Sequence, residues 1–205
     1  MPEEPAARRV VLASGNAGKQ REFAALLQEL PIELLLQSAL GVASIEETGT
    51  TFEANALLKA RHAARESGLP ALADDSGLEV DALGGRPGVR SARYAGPHAS
   101  DADNNRRLLA ELGTVALPER TARYRCVLAL VRSADDPEPL LAQGNWEGYI
   151  AMHPRGQGGF GYDPLFVPRG MRLHAAQLDA AQKNRLSHRG LAAAELLLRW
   201  RARPW

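Results

Sequence analysis

Short apolar runs alternate along the chain with segments whose apolar residues recur every three to four positions, the pattern of strands interleaved with amphipathic helices. Arg9 to Ala13 reads as a short buried strand, and the Ser14-Gly15-Asn16-Ala17-Gly18 turn hands it to a helix over about Lys19 to Leu30. Ile32 to Gln37 predicts another strand. Thr50 and Glu53 have capping-box spacing for a helix that ends near Ser67-Gly68. Within it Phe52, Ala56, Ala60 and Ala63 share one face, while Asn55 and Lys59, four apart, share a polar face from which they could reach a ligand. Pro70 to Ala73 reads as a strand that stops at Asp74-Asp75-Ser76-Gly77, and Leu78 to Leu83 with Gly84-Gly85 suggests a hairpin. Ser100 to Leu112 is a helix opened by a Ser or Asp cap. Ala122 to Val131 and Leu140 to Ile150 form a strand pair across the Asp135-Asp136-Pro137-Glu138-Pro139 turn, and Ser187 caps a last helix over Leu191 to Arg203.

The order predicts one mixed α/β domain over residues 1–205, with residues 1–8 as a flexible N-terminal extension and no internal repeat or long linker. At 205 residues, 45% apolar and 24% charged, the chain can bury one sizeable core. A net charge of +1 gives no single-sign field to hold it on nucleic acid or a membrane surface. Cys126, the single cysteine, lies in an apolar run and reads as a small buried thiol. The apolar stretches are broken well before the ~20 residues of a membrane span. Met1-Pro2-Glu3-Glu4-Pro5 lacks the basic segment and apolar run of a signal peptide, so a cytoplasmic location is the expectation.

Five segments carry candidate chemistry. Ser14-Gly15-Asn16-Ala17-Gly18-Lys19 is a glycine turn opening a helix, where backbone N–H groups, the helix dipole and Lys19 favour an anion; it lacks P-loop spacing, and a tight turn uses Gly and Asn for backbone reasons too. Asp74-Asp75-Ser76 places adjacent carboxylates where an apolar strand stops, a position and an oxygen chemistry suited to a hard ion such as Mg²⁺, although Asp-Asp-Ser-Gly is equally ordinary turn chemistry. Glu46-Glu47-Thr48-Gly49 is a second source of metal-binding oxygen. Gly156-Gln157-Gly158-Gly159-Phe160-Gly161-Tyr162-Asp163-Pro164 contains a formal dinucleotide-binding spacing but lacks the strand before it and the helix after it. A glycine-rich loop presenting Phe160 and Tyr162 suits instead the stacking of a purine. Lys183-Asn184-Arg185-Leu186-Ser187-His188-Arg189 gathers donors at the start of the last helix, matched to the O6 and N7 acceptors of a 6-oxopurine.

In their order these strings closely resemble the inosine triphosphate pyrophosphatase family. The matching residues are Ser14-Gly15-Asn16 with Lys19 and Glu22, Thr51-Phe52-Glu53-Ala54-Asn55-Ala56 with Lys59-Ala60, and Ala73-Asp74-Asp75-Ser76-Gly77-Leu78. They continue with Gly84-Gly85, Pro87-Gly88, Ser91-Ala92-Arg93-Tyr94, Gly159-Phe160-Gly161-Tyr162-Asp163-Pro164, Lys183-Asn184 and Ser187-His188-Arg189. The resemblance implies an elongated α/β fold, a mixed central sheet flanked by helices, with two lobes around a nucleotide-binding cleft and usually a homodimer. It implies Mg²⁺-dependent hydrolysis of aberrant purine nucleoside triphosphates (ITP, dITP, XTP, dXTP) to the monophosphate and pyrophosphate. By position, Ser14, Gly15, Asn16, Ala17, Gly18, Lys19 and Lys59 would hold the triphosphate. Asp75 would bind the metal and act as general base, supported by Glu46, with Ser76 touching the substrate. Phe160, with Gly161 and Tyr162 in its loop, would stack on the base, while Asp163, Lys183, His188 and Arg189 would fix its edge and the sugar. The chain departs from the family pattern at Leu186 and at Ala181-Gln182, where an acidic pair is usual, which bears on how rigidly Lys183 is held.

Two other readings compete: a pyrophosphatase of the septum-formation inhibitor type, and a nucleotide-binding or RNA-binding module using Arg120, Arg123, Arg125 and Arg132. Arginines spaced along a strand are more often its solvated face.

Overall fold

The computed structural model describes residues 7–203, apart from the side chain of Ala17. Its strands are β1 Arg8–Leu12, β2 Ile32–Leu36, β3 Ala71–Val80, β4 Thr121–Val131, β5 Leu140–Ile150 and β6 Phe166–Pro168. Its α-helices are α1 Ala17–Leu26, α2 Phe52–Ser67, α3 Asp101–Glu111, α4 Ala180–Leu186 and α5 His188–Ala202. The strands form one sheet in the order β2-β1-β3-β4-β5-β6. Parallel pairing of β1 with β2 and β3, and antiparallel pairing of β5 with β6, make the sheet mixed, as expected. Among the described residues no helix is long and apolar enough to cross a membrane. Of the expected flexible extension, residues 1–6 lie outside the described set, whereas Arg8 already belongs to β1, its N–H donating to the Pro31 carbonyl.

The chain divides into two compact units. The first comprises Met1–Asp75, Val127–Gly144 and Leu191–Trp205. Val10, Val11 and Leu12 are fully buried because β1 has a parallel neighbour on each side, and such a strand reads as an unbroken apolar run. Phe52, Ala56, Ala60 and Ala63 of α2 are buried as their spacing predicts. The cap of α2 is Thr51 rather than Thr50: its hydroxyl accepts the Ala54 N–H at 3.1 Å. That puts Glu53 one position too early to close a capping box, leaving it in the first turn, where the positive end of the helix dipole favours a carboxylate. Gly68 ends the helix in the left-handed region, φ 68°.

The second unit comprises Ser76–Cys126 and Asn145–Gly190. Leu78, Val80, Tyr94, Leu108, Leu112, Trp146, Ile150, Tyr162 and Phe166 contribute to its core. Arg120 is only 2% exposed; its guanidinium donates to the carbonyls of Val115 and Leu112 at 2.9 and 2.6 Å, satisfying acceptors at and beyond the end of α3. Arg123 and Arg125 are taken up by ion pairs with Glu79, and Arg123 also by Asp81 and Glu147. Of the spaced arginines, Arg120 is thus a helix-end clamp, Arg123 and Arg125 belong to a charge ladder, and the exposed Arg132 is ion-paired to Asp136 at 2.7 Å.

Three expectations change. β3 does not stop at Asp74 but continues through Asp75, Ser76 and Gly77 to Val80. Asp favours turns when its carboxylate bonds nearby backbone; here Asp74 and Asp75 are claimed by lysines instead, and the extended backbone persists. The last helix begins at His188, three residues earlier than its apolar periodicity suggests. Before it stands α4, capped reciprocally by Asp179 and Gln182, so Lys183 sits in the last turn of α4 and not at the start of the final helix.

Candidate active site

In the first unit, the turn after β1 is fixed by its own side chains. Asn16 caps α1, its Oδ1 accepting the N–H groups of Gly18 at 2.7 Å and Lys19 at 3.2 Å, while the Asn16 N–H donates to Ser14 Oγ at 3.1 Å. Three of the amides that the sequence offered to an anion, those of Asn16, Gly18 and Lys19, are therefore satisfied internally. The charge at this turn is Lys19, whose Nζ donates to both oxygens of Asp74 at 2.9 and 3.0 Å.

Asp75 is the centre of a second pairing. Its Oδ1 accepts from Lys59 Nζ at 2.9 Å and its Oδ2 from Asn55 Nδ2 at 3.2 Å. The i, i+4 spacing on α2 is what brings Asn55 and Lys59 to the same carboxylate. Asn55 is further fixed by accepting the Gly49 N–H at 2.8 Å, and a β-carbon at position 49 would fall 2.5 Å from that amide oxygen. Lys59 also donates to Glu47 at 2.7 Å. Glu47, not Glu46, therefore joins the cluster, and Glu46 is exposed. Adjacent glutamates of one type carry no sequence signal to tell them apart. A polar cavity of about 190 Å³ is lined by Ser14, Gly15, Lys19, Glu47, Lys59 and Asp74, among others.

The electrostatics follow from burial. Asp75 is pushed up to about 6 by desolvation, which outweighs the opposing pull of Lys59 and the Asn55 hydrogen bond. Burial also works against the Lys59 charge, but Asp74, Asp75 and Glu47 together hold it above its ordinary value. At neutral pH the cluster is a charged network around a carboxylate poised near pH 6, the range useful to a general base.

Among the described residues no group of three or more His, Cys, Asp or Glu is gathered as a metal site. The Lys59 ammonium, however, bridges Glu47 and Asp75, so two hard oxygen donors already converge on one cation. Mg²⁺ commonly takes one or two carboxylates and completes its shell with water and substrate phosphates, a requirement that this pair fits.

The second unit holds the aromatic and basic residues. The Phe160 ring is 51% exposed, with Lys183 Nζ 5.1 Å and the Arg189 guanidinium carbon 4.8 Å from its centroid. Asp163 is buried, ion-paired to Lys183, and accepts the Phe160 N–H at 2.9 Å. Lys183 is thus held by Asp163 despite the missing acidic pair; Gln182 at that place closes the capping box with Asp179 at the start of α4. A β-carbon on Gly159 would lie 2.0 Å from the Asp163 carboxylate and 2.9 Å from Lys183 Nζ. His188 lies flat on Tyr124, 4.7 Å between centroids and 9° between planes, and Tyr124 is backed by Phe166 at 4.8 Å. Arg189 donates to Ser76 Oγ at 3.1 Å. Tyr162 belongs to the core: its hydroxyl donates to the Ser91 carbonyl at 2.8 Å, and desolvation pushes its phenol well above the ordinary value.

Residues 10–199 match the model of the Ham1 family. The chain belongs to that family. A relative from Methylococcus capsulatus, named dITP/XTP pyrophosphatase, is 60% identical over 195 residues, covering 95% of this chain and 97% of the relative. A protein of the same name from Thioalkalivibrio sulfidiphilus is 54% identical, over 95% of this chain and all of its own length. Among solved structures, a HAM1 protein from Coxiella burnetii matches with TM-score 0.89 and 47% identity, covering 95% of this chain and 99% of that one. The Staphylococcus aureus Ham1 protein matches with TM-score 0.85 and 38% identity over the same shares. Every candidate site residue, from Ser14 to Arg189, falls within the span of the Ham1 match.

Proposed function

We propose that this protein hydrolyses aberrant purine nucleoside triphosphates (ITP, dITP, XTP and dXTP) to the monophosphate and pyrophosphate, with Mg²⁺, as a cytoplasmic homodimer whose whole chain acts as one functional domain. The names of its close relatives support the substrate class. The observation that carries the chemistry is the buried Asp75 carboxylate, bonded to Lys59 and Asn55 and poised near pH 6. Asp75 accepts a proton from, or orients, the water that attacks the α-phosphorus in line with the leaving pyrophosphate. Lys19 and Lys59, now held by carboxylates, exchange those partners for phosphate oxygens and draw off the charge that develops on the leaving group. Magnesium, when bound through Asp75 and Glu47, would supply further charge neutralisation at the phosphates.

For the base, the Phe160 ring supplies a stacking face, and Lys183 and Arg189 supply donors to the O6 and N7 acceptors of a 6-oxopurine. Adenine, with an amino donor at position 6, opposes those same groups. Incubation with ITP and Mg²⁺, assaying pyrophosphate against orthophosphate, tests the reading. Pyrophosphate release that stops on addition of EDTA and is much slower with ATP is the expected result; orthophosphate release, or equal kcat/KM for ITP and ATP, overturns it. Light scattering on the purified protein checks the dimer.

A further inference from the structure

Phe160 is a half-exposed ring on a loop with left-handed glycines on both sides, Gly159 at φ 73° and Gly161 at φ 63°. Such a segment has no secondary structure to set the direction of its aromatic side chain. It is instead held through its peptide groups. Asp163 accepts the Phe160 N–H at 2.9 Å, Asp101 Oδ2 accepts the Gly161 N–H at 2.6 Å, and Asn105 Nδ2 donates to the Gly161 carbonyl at 2.8 Å. The same Asn105 nitrogen donates to the Asp101 carbonyl at 2.8 Å, tying the two clamp residues together. Asp101 and Asn105 are one turn apart on α3, and that helix is a firm platform: its start carries the Ser100–Asp103 capping box, and Leu108 beyond the clamp is fully buried.

We propose that Asp101 and Asn105 are positioning residues for base recognition, gripping both ends of the Gly161 residue so that the Phe160 ring is presented to the purine in one orientation. The inference rests on the base-stacking role given to Phe160 above. Neither residue reaches the cluster around Asp75 through any of these bonds, so the grip acts on substrate binding and not on the chemical step. Preorganising a contact residue lowers the ordering cost of binding. Removing one of the two bonds therefore weakens binding by the worth of a hydrogen bond, about three- to tenfold.

The test is steady-state kinetics with ITP and Mg²⁺ on Asn105→Ala, Asp101→Ala, Asp101→Asn, Phe160→Ala and the double variant Phe160→Ala/Asn105→Ala. Alanine suits a helix, so Asn105→Ala leaves α3 intact. Expected are a KM raised about three- to tenfold in both alanine variants with kcat within about twofold, near-complete rescue in Asp101→Asn, which keeps an acceptor, and no further rise when Asn105→Ala is added to Phe160→Ala. Arg106→Ala, on an exposed residue of the same helix, leaves both constants unchanged. An unchanged KM in Asn105→Ala and Asp101→Ala beside a raised KM in Phe160→Ala overturns the clamp alone. A loss of kcat in parallel with thermal stability, or additive effects in the double variant, reduces the pair to a structural role and also overturns it. If Phe160→Ala itself leaves KM for ITP unaltered, the base-stacking reading fails and the clamp falls with it.

Discussion

Around Asp75 the important groups are withdrawn from water and every carboxylate faces a cation: Asp74 has Lys19, while Asp75 and Glu47 share Lys59. Around Phe160 the important group is a neutral ring half in solvent, and the charges beside it lie over its face. The first region sets the energy of a proton; the second sets the direction of a surface. A buried carboxylate is tuned by desolvation and by the number of its counter-charges, so its behaviour changes with pH and with the removal of one ammonium. An exposed ring is tuned by the backbone that carries it, so its behaviour changes with loop geometry and hardly at all with pH.

The sharpest way to separate the regions is to remove one from each. Asp75→Asn keeps the size of the side chain but not its basicity, and kcat should fall by about 10²- to 10⁴-fold while nucleotide binding persists. Pre-steady-state pyrophosphate release and equilibrium binding of ITP check the two halves. Phe160→Ala should do the reverse, raising KM for ITP about tenfold or more with little change in kcat, since a stacked base is worth about 1–3 kcal/mol.

A pH profile then breaks the comparison along another line. As the proposed general base, Asp75 acts in its ionised form, so kcat/KM should decline as pH falls through about 6 in both the native protein and Phe160→Ala. Lys59 draws the Asp75 value down, so Lys59→Met should move that limb to higher pH. An acid limb that stays in place in Lys59→Met would detach the limb from Asp75.

The smallest effect is on stability. A carboxyl whose folded value lies above its ordinary 3.8 favours the fold in its protonated form; that contribution is complete below about pH 4 and is lost as pH rises through about 6. Asp75→Asn, which stays neutral, should gain a few degrees of thermal midpoint over the native protein at pH 8 and about none at pH 4. An equal difference at both values would show that burial of the charge is not its origin.

Much of this was legible in the chain. The unbroken apolar run of β1 marks a strand buried on both faces, the alanine face of α2 and the shared face of Asn55 and Lys59 follow from a period of 3.6 residues, and the structure honours them. What failed to show were features decided by distant partners. Asp74-Asp75-Ser76-Gly77 has the composition of a turn and became the middle of a strand because two lysines, 55 and 16 positions away, took the carboxylates. Glu47 was preferred over Glu46 by Lys59, and the hold of Asp101 and Asn105 on Gly161 spans 60 and 56 positions. Local pattern reports which face a residue occupies; it does not report who waits there.

Gly159 gives this a hereditary edge. Its missing side chain is the space in which the Asp163 carboxylate and the Lys183 ammonium meet beneath the Phe160 loop. Every amino acid reachable from a glycine codon by one base change carries a β-carbon, and at φ 73° each would be strained as well as crowded. A missense change there therefore strains the backbone and displaces the ion pair that holds Lys183, whereas the third base of that codon is free to vary.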